Sequence, residues 1–324
     1  MKKRSQRSIS LLLALFLLFI LVLPAAADGE TGETGETAVE QTENTSGETT
    51  GAEPEEPPEA PTGFLGFVNT LIALREGGGL VTRAFGTETD AKFGEISGAV
   101  RDVPIVLYIL TLLLCAVFAY VLGSVNFGVI VSKKVGGDDV RNHGSGNAGM
   151  TNVLRVYGKR AAALTFLGDA GKAALSAIVG LLLGGNGCGY IAVAACMIGH
   201  AFPLFFKFKG GKSVACVFGG MLFLEPIAAL LLLAIFLLIV LMTKYVSLGS
   251  IISSALIPVF VSSFWAVGLT HNITSFDYFI VCICAVFYAC FIIWLHRGNI
   301  KRLYNGEERK LDLSKKNKKN EEKE

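Results

Sequence analysis

The stretch RNHGSGNAGMTNVLR, residues 141–155, lies between long apolar runs but is itself made of glycine, amide, hydroxyl and cationic side chains. Gly144, Gly146 and Gly149 stand in a G-x-G-x-x-G spacing, interleaved with Ser145 and Asn147 and followed by Thr151, Asn152 and Arg155. Two further polar sets accompany it. Gly199 and His200 precede Pro203 and the run Lys209-Gly210-Gly211-Lys212, and His296, Arg297, Asn299 and Arg302 follow the last apolar run. Glycines let backbone N–H groups come close to phosphate oxygens, and Lys and Arg supply the compensating charge. The chemistry that such groups fit together is the binding of two phosphate-bearing molecules.

Simpler readings stand beside this one. The G-x-G-x-x-G run follows the charged VRNH instead of an apolar strand, and no βαβ alternation surrounds it, so it fails as a dinucleotide fingerprint. Gly211-Lys212-Ser213 resembles the end of a P-loop, yet Phe206 stands where that motif requires glycine. Each set alone reads as a solvated connector, whereas three sets on one side of a membrane read as a site. Asp169 and Lys172, spaced i, i+3, share a helix face inside an apolar run, either as a structural ion pair or as substrate ligands. His200 either bonds a neighbouring helix or belongs to the site. The seven cysteines all lie in or beside apolar segments without a C-x-x-C pair, which reads as packing and gives no support to a metal or redox centre.

The elements that must position these groups are membrane helices. The chain is 52% hydrophobic and only 17% charged, too apolar for an ordinary soluble domain. Apolar runs predict seven crossings, at about 104–131, 161–183, 188–206, 213–224, 226–243, 247–268 and 278–295. Loop 132–160 carries Lys133, Lys134, Arg141, Arg155, Lys159 and Arg160, and basic loops stay in the cytoplasm. The Gly-rich loops and the C-terminus are therefore expected inside. The fourth run is short for a crossing and implies a re-entrant turn at Gly210-Gly211-Lys212. The expected class is an all-α membrane protein, a seven-helix bundle with cytoplasmic Gly-rich loops.

The ends differ in charge. Residues 1–27 have a basic start, an apolar run and Ala25-Ala26-Ala27, the pattern of a signal peptide or an uncleaved anchor. Residues 28–60 hold eleven acidic and no basic side chains, so 28–62 reads as a disordered, exported linker. Residues 63–103 form an extracytoplasmic segment of no evident role, 104–311 the membrane domain, and 312–324 a basic cytoplasmic tail. Ends of opposite sign fit opposite sides of a membrane and not a nucleic-acid partner.

At the polar sets the chain resembles the bacterial, PlsY-type, acyl-phosphate-dependent integral-membrane glycerol-3-phosphate acyltransferases. The resemblance spans about 104–311. It rests on GSVNFG (123–128), the D-x-R-x-H-G-S-G-N-x-G-x-T-N-V-L-R run from Asp139, Asp169 with Lys172, GHAFPLFFKFKGGKSVA (199–215), YVSLGSI (245–251) and HRGNIKRLYNGEE (296–308). Asn126, Met150, Ser213, Cys216 and Gly298 depart from the family's usual Pro, Ala, Gly, Thr and acidic residue.

The resemblance implies acyl transfer from acyl phosphate to the 1-hydroxyl of glycerol 3-phosphate, giving lysophosphatidic acid and phosphate without a cofactor or metal. Neither a G-x-S-x-G elbow nor a His-x4-Asp pair is present, since Ala148 lies five residues after His143 and Phe205 five after His200. Acyl phosphate is already activated, so positioning and electrostatics suffice. The expected catalytic set is Ser145, Asn147, Arg155, Lys212, His200, His296 and Asn299. Gly144, Gly146, Gly149, Thr151, Asn152, Gly210, Gly211, Asp169, Lys172 and Ser247 would bind substrate. Partners would be the two substrates, membrane lipids and the enzyme that supplies acyl phosphate. A transporter for a phosphorylated or anionic metabolite, or a non-catalytic family member, are the other readings.

Overall fold

The computed structural model describes residues 105–266 and 275–311, with only the backbone described at 105, 264–266 and 275–277. The signal-like segment, the acidic linker, segment 63–103 and the basic tail lie outside the described residues. Every regular element among the described residues is helical.

The apolar run 104–131 reads as one helix, but the chain breaks it in two. Helix α1 (Ile105–Gly123) ends at Gly123, and α2 (Phe127–Gly136) starts from Asn126, whose side chain accepts the N–H of Val129 at 3.1 Å. An amide at the N-cap satisfies one of the N–H groups a helix start leaves unpaired. The break frees the carbonyls of Gly123 and Val125, and Lys172 Nζ takes both, at 2.8 and 2.6 Å. Helix α2 stops at Gly137, in the left-handed conformation (φ 72°) that glycine adopts without steric cost.

The next helix, α3 (Met150–Ala201), is broken at Gly158 (φ 81°) and Gly185 (φ 78°) into arms 150–157, 159–184 and 186–201. The second and third arms fold back on each other: Gly180 packs against the backbone of Cys188 and Gly189, and Asp169 and Lys172 meet His200. These arms match the expected helices 161–183 and 188–206, except that the latter stops at Ala201 ahead of Pro203. The loop expected to extend to Arg160 instead ends at Gly149, because helix begins at Met150.

Helix α4 (Val214–Leu224) has 11 residues, about 16 Å, which falls short of a bilayer's apolar thickness of about 30 Å. It ends at Glu225, and Pro226 opens α5 (Pro226–Thr243), where a missing N–H costs nothing. Run 247–268 divides into α6 (Val246–Ala255) and α7 (Ile257–Ala266); Pro258 lacks the donor needed to continue the first. Helix α8 (Ser275–Leu295) carries the last apolar run, and α9 (Arg297–Asn305) is short and amphipathic.

Among the described residues, five helical stretches are long and apolar enough to cross a membrane, and α3 supplies one of them as a 57-residue stretch from Met150 to Phe206. Their outward faces are greasy: Val106, Leu114, Leu241 and Met242 are all more than 60% exposed. So much exposed apolar surface suits lipid as the solvent and not water.

Candidate functional site

The Gly-rich turn is held by Asn152, which is almost fully buried. Its Oδ1 accepts the N–H of Ser145 (2.8 Å), and its Nδ2 donates to the carbonyls of Val140, His143 and Asn147 at 2.9–3.1 Å. Asn147 Oδ1 in turn accepts the N–H of Gly149. Gly144 and Gly146 have φ of 62° and 73°, and a Cβ on Gly144 would strike the Asn152 amide. The glycines are there so that the turn can wrap Asn152, leaving the side chains of Ser145, Thr151 and Arg155 toward open space.

The second set docks against the first. Arg141 is fixed by Asp139 (2.7 Å) and donates to the carbonyls of Phe206 and Lys209, both at 2.8 Å, so it ties the two loops together. Gly210 and Gly211 spend their N–H groups on the carbonyls of Ala201 and His200, and Gly211 packs on the His200 ring. Neither lines the cavity described below; they allow the 203–213 loop to close tightly. Ser213 takes a left-handed conformation (φ 60°) and donates to the Met197 carbonyl at 2.7 Å.

Beneath these loops Asp169 lies 2.9 Å from Lys172 and 3.3 Å from His200, all at most 4% exposed. Lys172 is directed into the α1–α2 break and His200 Nδ1 (3.0 Å), so it ties three segments together and does not face the cavity. Asp169 and His200 do reach the cavity wall.

The third set centres on Glu308. Its carboxylate accepts Ser247 Oγ (2.8 Å), Asn299 Nδ2 (2.6 Å) and Arg302 Nε (2.8 Å), while Asn299 Oδ1 accepts Lys212 Nζ. Burial alone would raise the Glu308 carboxyl, but these hydrogen bonds and the Arg302 charge hold it below the usual carboxylate range. Burial, with repulsion from Arg302 and Arg155, lowers Lys212 to about 8. Burial also takes His296 down to about 4, with the Lys212 charge adding to it. Its Nδ1 lies 2.8 Å from the Ile292 carbonyl, so the neutral ring donates there and leaves Nε2 as an acceptor.

All three sets open on one cavity of about 670 Å³. Ser145, Asn147, Arg155, Lys212, His200, His296 and Asn299 line it, as do Gly144, Gly146, Gly149, Thr151, Asn152, Asp169 and Ser247. One end is cationic, with Arg155, Lys212, Arg302 and Arg309; the other is apolar, walled by Phe166, Phe218, Met221, Leu233 and Phe236. A charged head and a greasy tail fit such a space together. The profile of the family described as glycerol-3-phosphate acyltransferase matches residues 113–306, well over half of the chain.

The chain belongs to the glycerol-3-phosphate acyltransferase family.

A glycerol-3-phosphate acyltransferase of Clostridioides difficile (strain 630) is 41% identical over 213 residues, covering 64% of this chain and 98% of the relative. That of Thermoanaerobacter sp. (strain X514) is 41% identical over 198 residues, 61% of this chain and 94% of the relative. Two crystal structures of PlsY (YgiH), an integral membrane glycerol 3-phosphate acyltransferase, are also similar. The glycerol 3-phosphate form gives a TM-score of 0.56 at 35% identity, covering 62% of this chain and 96% of that one; the lysophosphatidic acid form gives 0.55 at 34%. With its apolar helices, this member of the family is a multi-pass integral membrane protein.

Several cavity residues of this acyltransferase-family chain were not singled out from its sequence. Glu308 closes the third set, and Ser250, Ser253 and Ser254 continue the Ser247 face along α6. The serines were legible, since positions 247, 250 and 254 recur at helical spacing. Glu308 was not: nothing local distinguishes it from Glu307, and its three partners come from α6 and α9.

Proposed function

We propose that this protein transfers an acyl group from acyl phosphate to the 1-hydroxyl of glycerol 3-phosphate, releasing lysophosphatidic acid and inorganic phosphate. The observation that carries the reading is the single cavity with four cations at one end and an apolar wall at the other. Two phosphates need the cations, and a fatty chain needs the wall. Ser145, Asn147, Arg155 and Lys212 hold the phosphates. Thr151, His296, Asn299 and Ser247 orient the glycerol hydroxyls and the acyl carbonyl, while Asn152, Gly210 and Gly211 shape the loops. Asp169, Lys172 and His200 brace the floor. The basic loops face the cytoplasm and the N-terminal extension the exterior, with α3 crossing twice and α4 making a short seventh crossing. The acyl phosphate comes from a separate enzyme.

In the reaction the 1-hydroxyl oxygen attacks the acyl carbonyl carbon, and the carbon–oxygen bond to phosphate breaks. The phosphate leaves with the electron pair, and the hydroxyl proton passes to a substrate phosphate oxygen. A phosphate whose second pKa is near 6 is a better proton acceptor at neutral pH than His296 at about 4. Lys212 and Arg155 offset the charge growing on the leaving group.

Purified protein supplied with acyl phosphate and glycerol 3-phosphate is expected to release phosphate and lysophosphatidic acid in equal amounts. A transporter moves substrate into liposomes unchanged, and a non-catalytic relative does neither. His200→Ala and His296→Ala are each expected to retain more than about a hundredth of the wild-type kcat, because loss of a general base costs about 10²–10⁴-fold. A drop of about a hundredfold or more in a folded His296→Ala protein puts the proton on histidine instead.

The reading also has a pH signature. Lys212 is charged below about 8 and neutral above it. Since kcat/KM follows the free enzyme, it is expected to fall above pH 8 at about tenfold per unit. A bound phosphate dianion raises the lysine again, so kcat holds to higher pH. A kcat/KM that stays level to pH 10 removes Lys212 from phosphate binding.

A further inference from the structure

Three of the five cavity cations are already engaged: Lys212 by Asn299, Arg302 by Glu308, and Arg297 by the Trp294 carbonyl and ring. Arg155 and Arg309 differ. Among the described residues neither guanidinium has a hydrogen-bond or ion-pair partner, although both line the cavity. Arg309 is near enough to Arg155 for their charges to repel. Glu308 offsets part of the charge on Arg155, yet two guanidiniums without hydrogen-bond partners facing one cavity still favour an anion between them.

The backbone explains why Arg309 stays there. After α9, Gly306 turns with φ 73°, and the N–H groups of Glu307 and Glu308 both donate to the Arg302 carbonyl. The Leu311 N–H donates to the Lys244 carbonyl at 2.7 Å, and Lys310 lies over the Tyr245 ring. Segment 306–311 is thus a strap pinned on both sides of Arg309; Glu308, Arg309 and Leu311 of it line the cavity, and of these Arg309 brings the unpaired charge. The family match ends at Gly306, where the strap begins.

We propose that Arg309, presented by this strap, joins Arg155 and the Gly144–Asn147 turn to form a phosphate seat separate from the one at Lys212 and Asn299. The proposal rests on the acyltransferase reading only for which molecule brings the phosphate; the shared chemistry is a phosphate dianion, from acyl phosphate or from glycerol 3-phosphate. A guanidinium gives two parallel N–H donors, which suits such a group.

The test compares wild type with Arg309→Ala and Arg309→Lys. Charge-assisted hydrogen bonds are worth enough that losing one weakens binding about tenfold or more. Calorimetric binding of inorganic phosphate is expected to weaken by that factor in Arg309→Ala and to recover in part in Arg309→Lys, with the melting temperature unchanged. In turnover the loss falls on one KM and not on kcat: a rise for acyl phosphate places the donor in this seat, and a rise for glycerol 3-phosphate places the acceptor there. Unchanged phosphate binding in Arg309→Ala overturns the proposal whether or not the protein turns over. If wild type makes no lysophosphatidic acid while Arg309→Ala still weakens phosphate binding, the seat stands and the acyltransferase reading falls.

Discussion

Lys212→Ala and Arg155→Ala are each expected to lower acyl transfer by at least about a hundredfold, the scale seen when one preorganised donor to a developing charge is removed. Both side chains line the cationic end of the cavity, Lys212 partly buried and Arg155 exposed toward it, where their charges meet a bound phosphate directly. Neither holds the fold. Arg155 has no hydrogen-bonding partner among the described residues, and Lys212 bonds only Asn299, which keeps its second bond to Glu308. The variants should therefore insert and melt like wild type. Arg155→Lys separates charge from geometry: it restores Coulomb attraction but not the two-pronged contact, so it should recover only part of the rate. Wild-type rates in either alanine variant would remove the phosphate-binding role from that residue.

Asp169→Ala is expected to act on the fold instead. The carboxylate balances Lys172 at 2.9 Å and stands 3.3 Å from His200, deep inside the bundle. Removing one member of a buried pair leaves an uncompensated charge and costs about 3–5 kcal/mol. That is a large share of the 5–15 kcal/mol by which typical folds are stable. The variant should accumulate poorly in membranes and melt far below wild type in detergent. Pairing it with Lys172→Met removes the stranded charge, although the carbonyls of Gly123 and Val125 then lose their donor. The double variant should thus be more stable than Asp169→Ala and less stable than wild type. An Asp169→Ala protein that accumulates and melts like wild type would show that the cluster carries no stability.

The line between these two predictions follows how the polar residues divide. Asn152, Gly210, Gly211 and Lys172 carry the same residue types as the cavity's phosphate-facing groups, yet their hydrogen bonds go to the protein's own backbone. Arg155, Ser145 and Lys212 keep donors toward the cavity. Residue type alone does not separate scaffold from site, because an amide or a lysine serves either use; only its neighbours decide.

The sequence by itself determined the helical class, most helix boundaries and the three polar sets, since these depend on local composition. A run of some twenty apolar residues must satisfy its own backbone in lipid, and helix does that without help from elsewhere. Gly-rich turns with amides and cations are equally local. Tertiary structure decided the break at Ser124–Asn126, the Glu308 hub and the strap that carries Arg309. Each depends on partners tens of residues away: Lys172 on the α1–α2 break, Ser247 on Glu308, Lys244 on Leu311. Such partners meet only once the helices have packed, and no local pattern of residues announces which will meet.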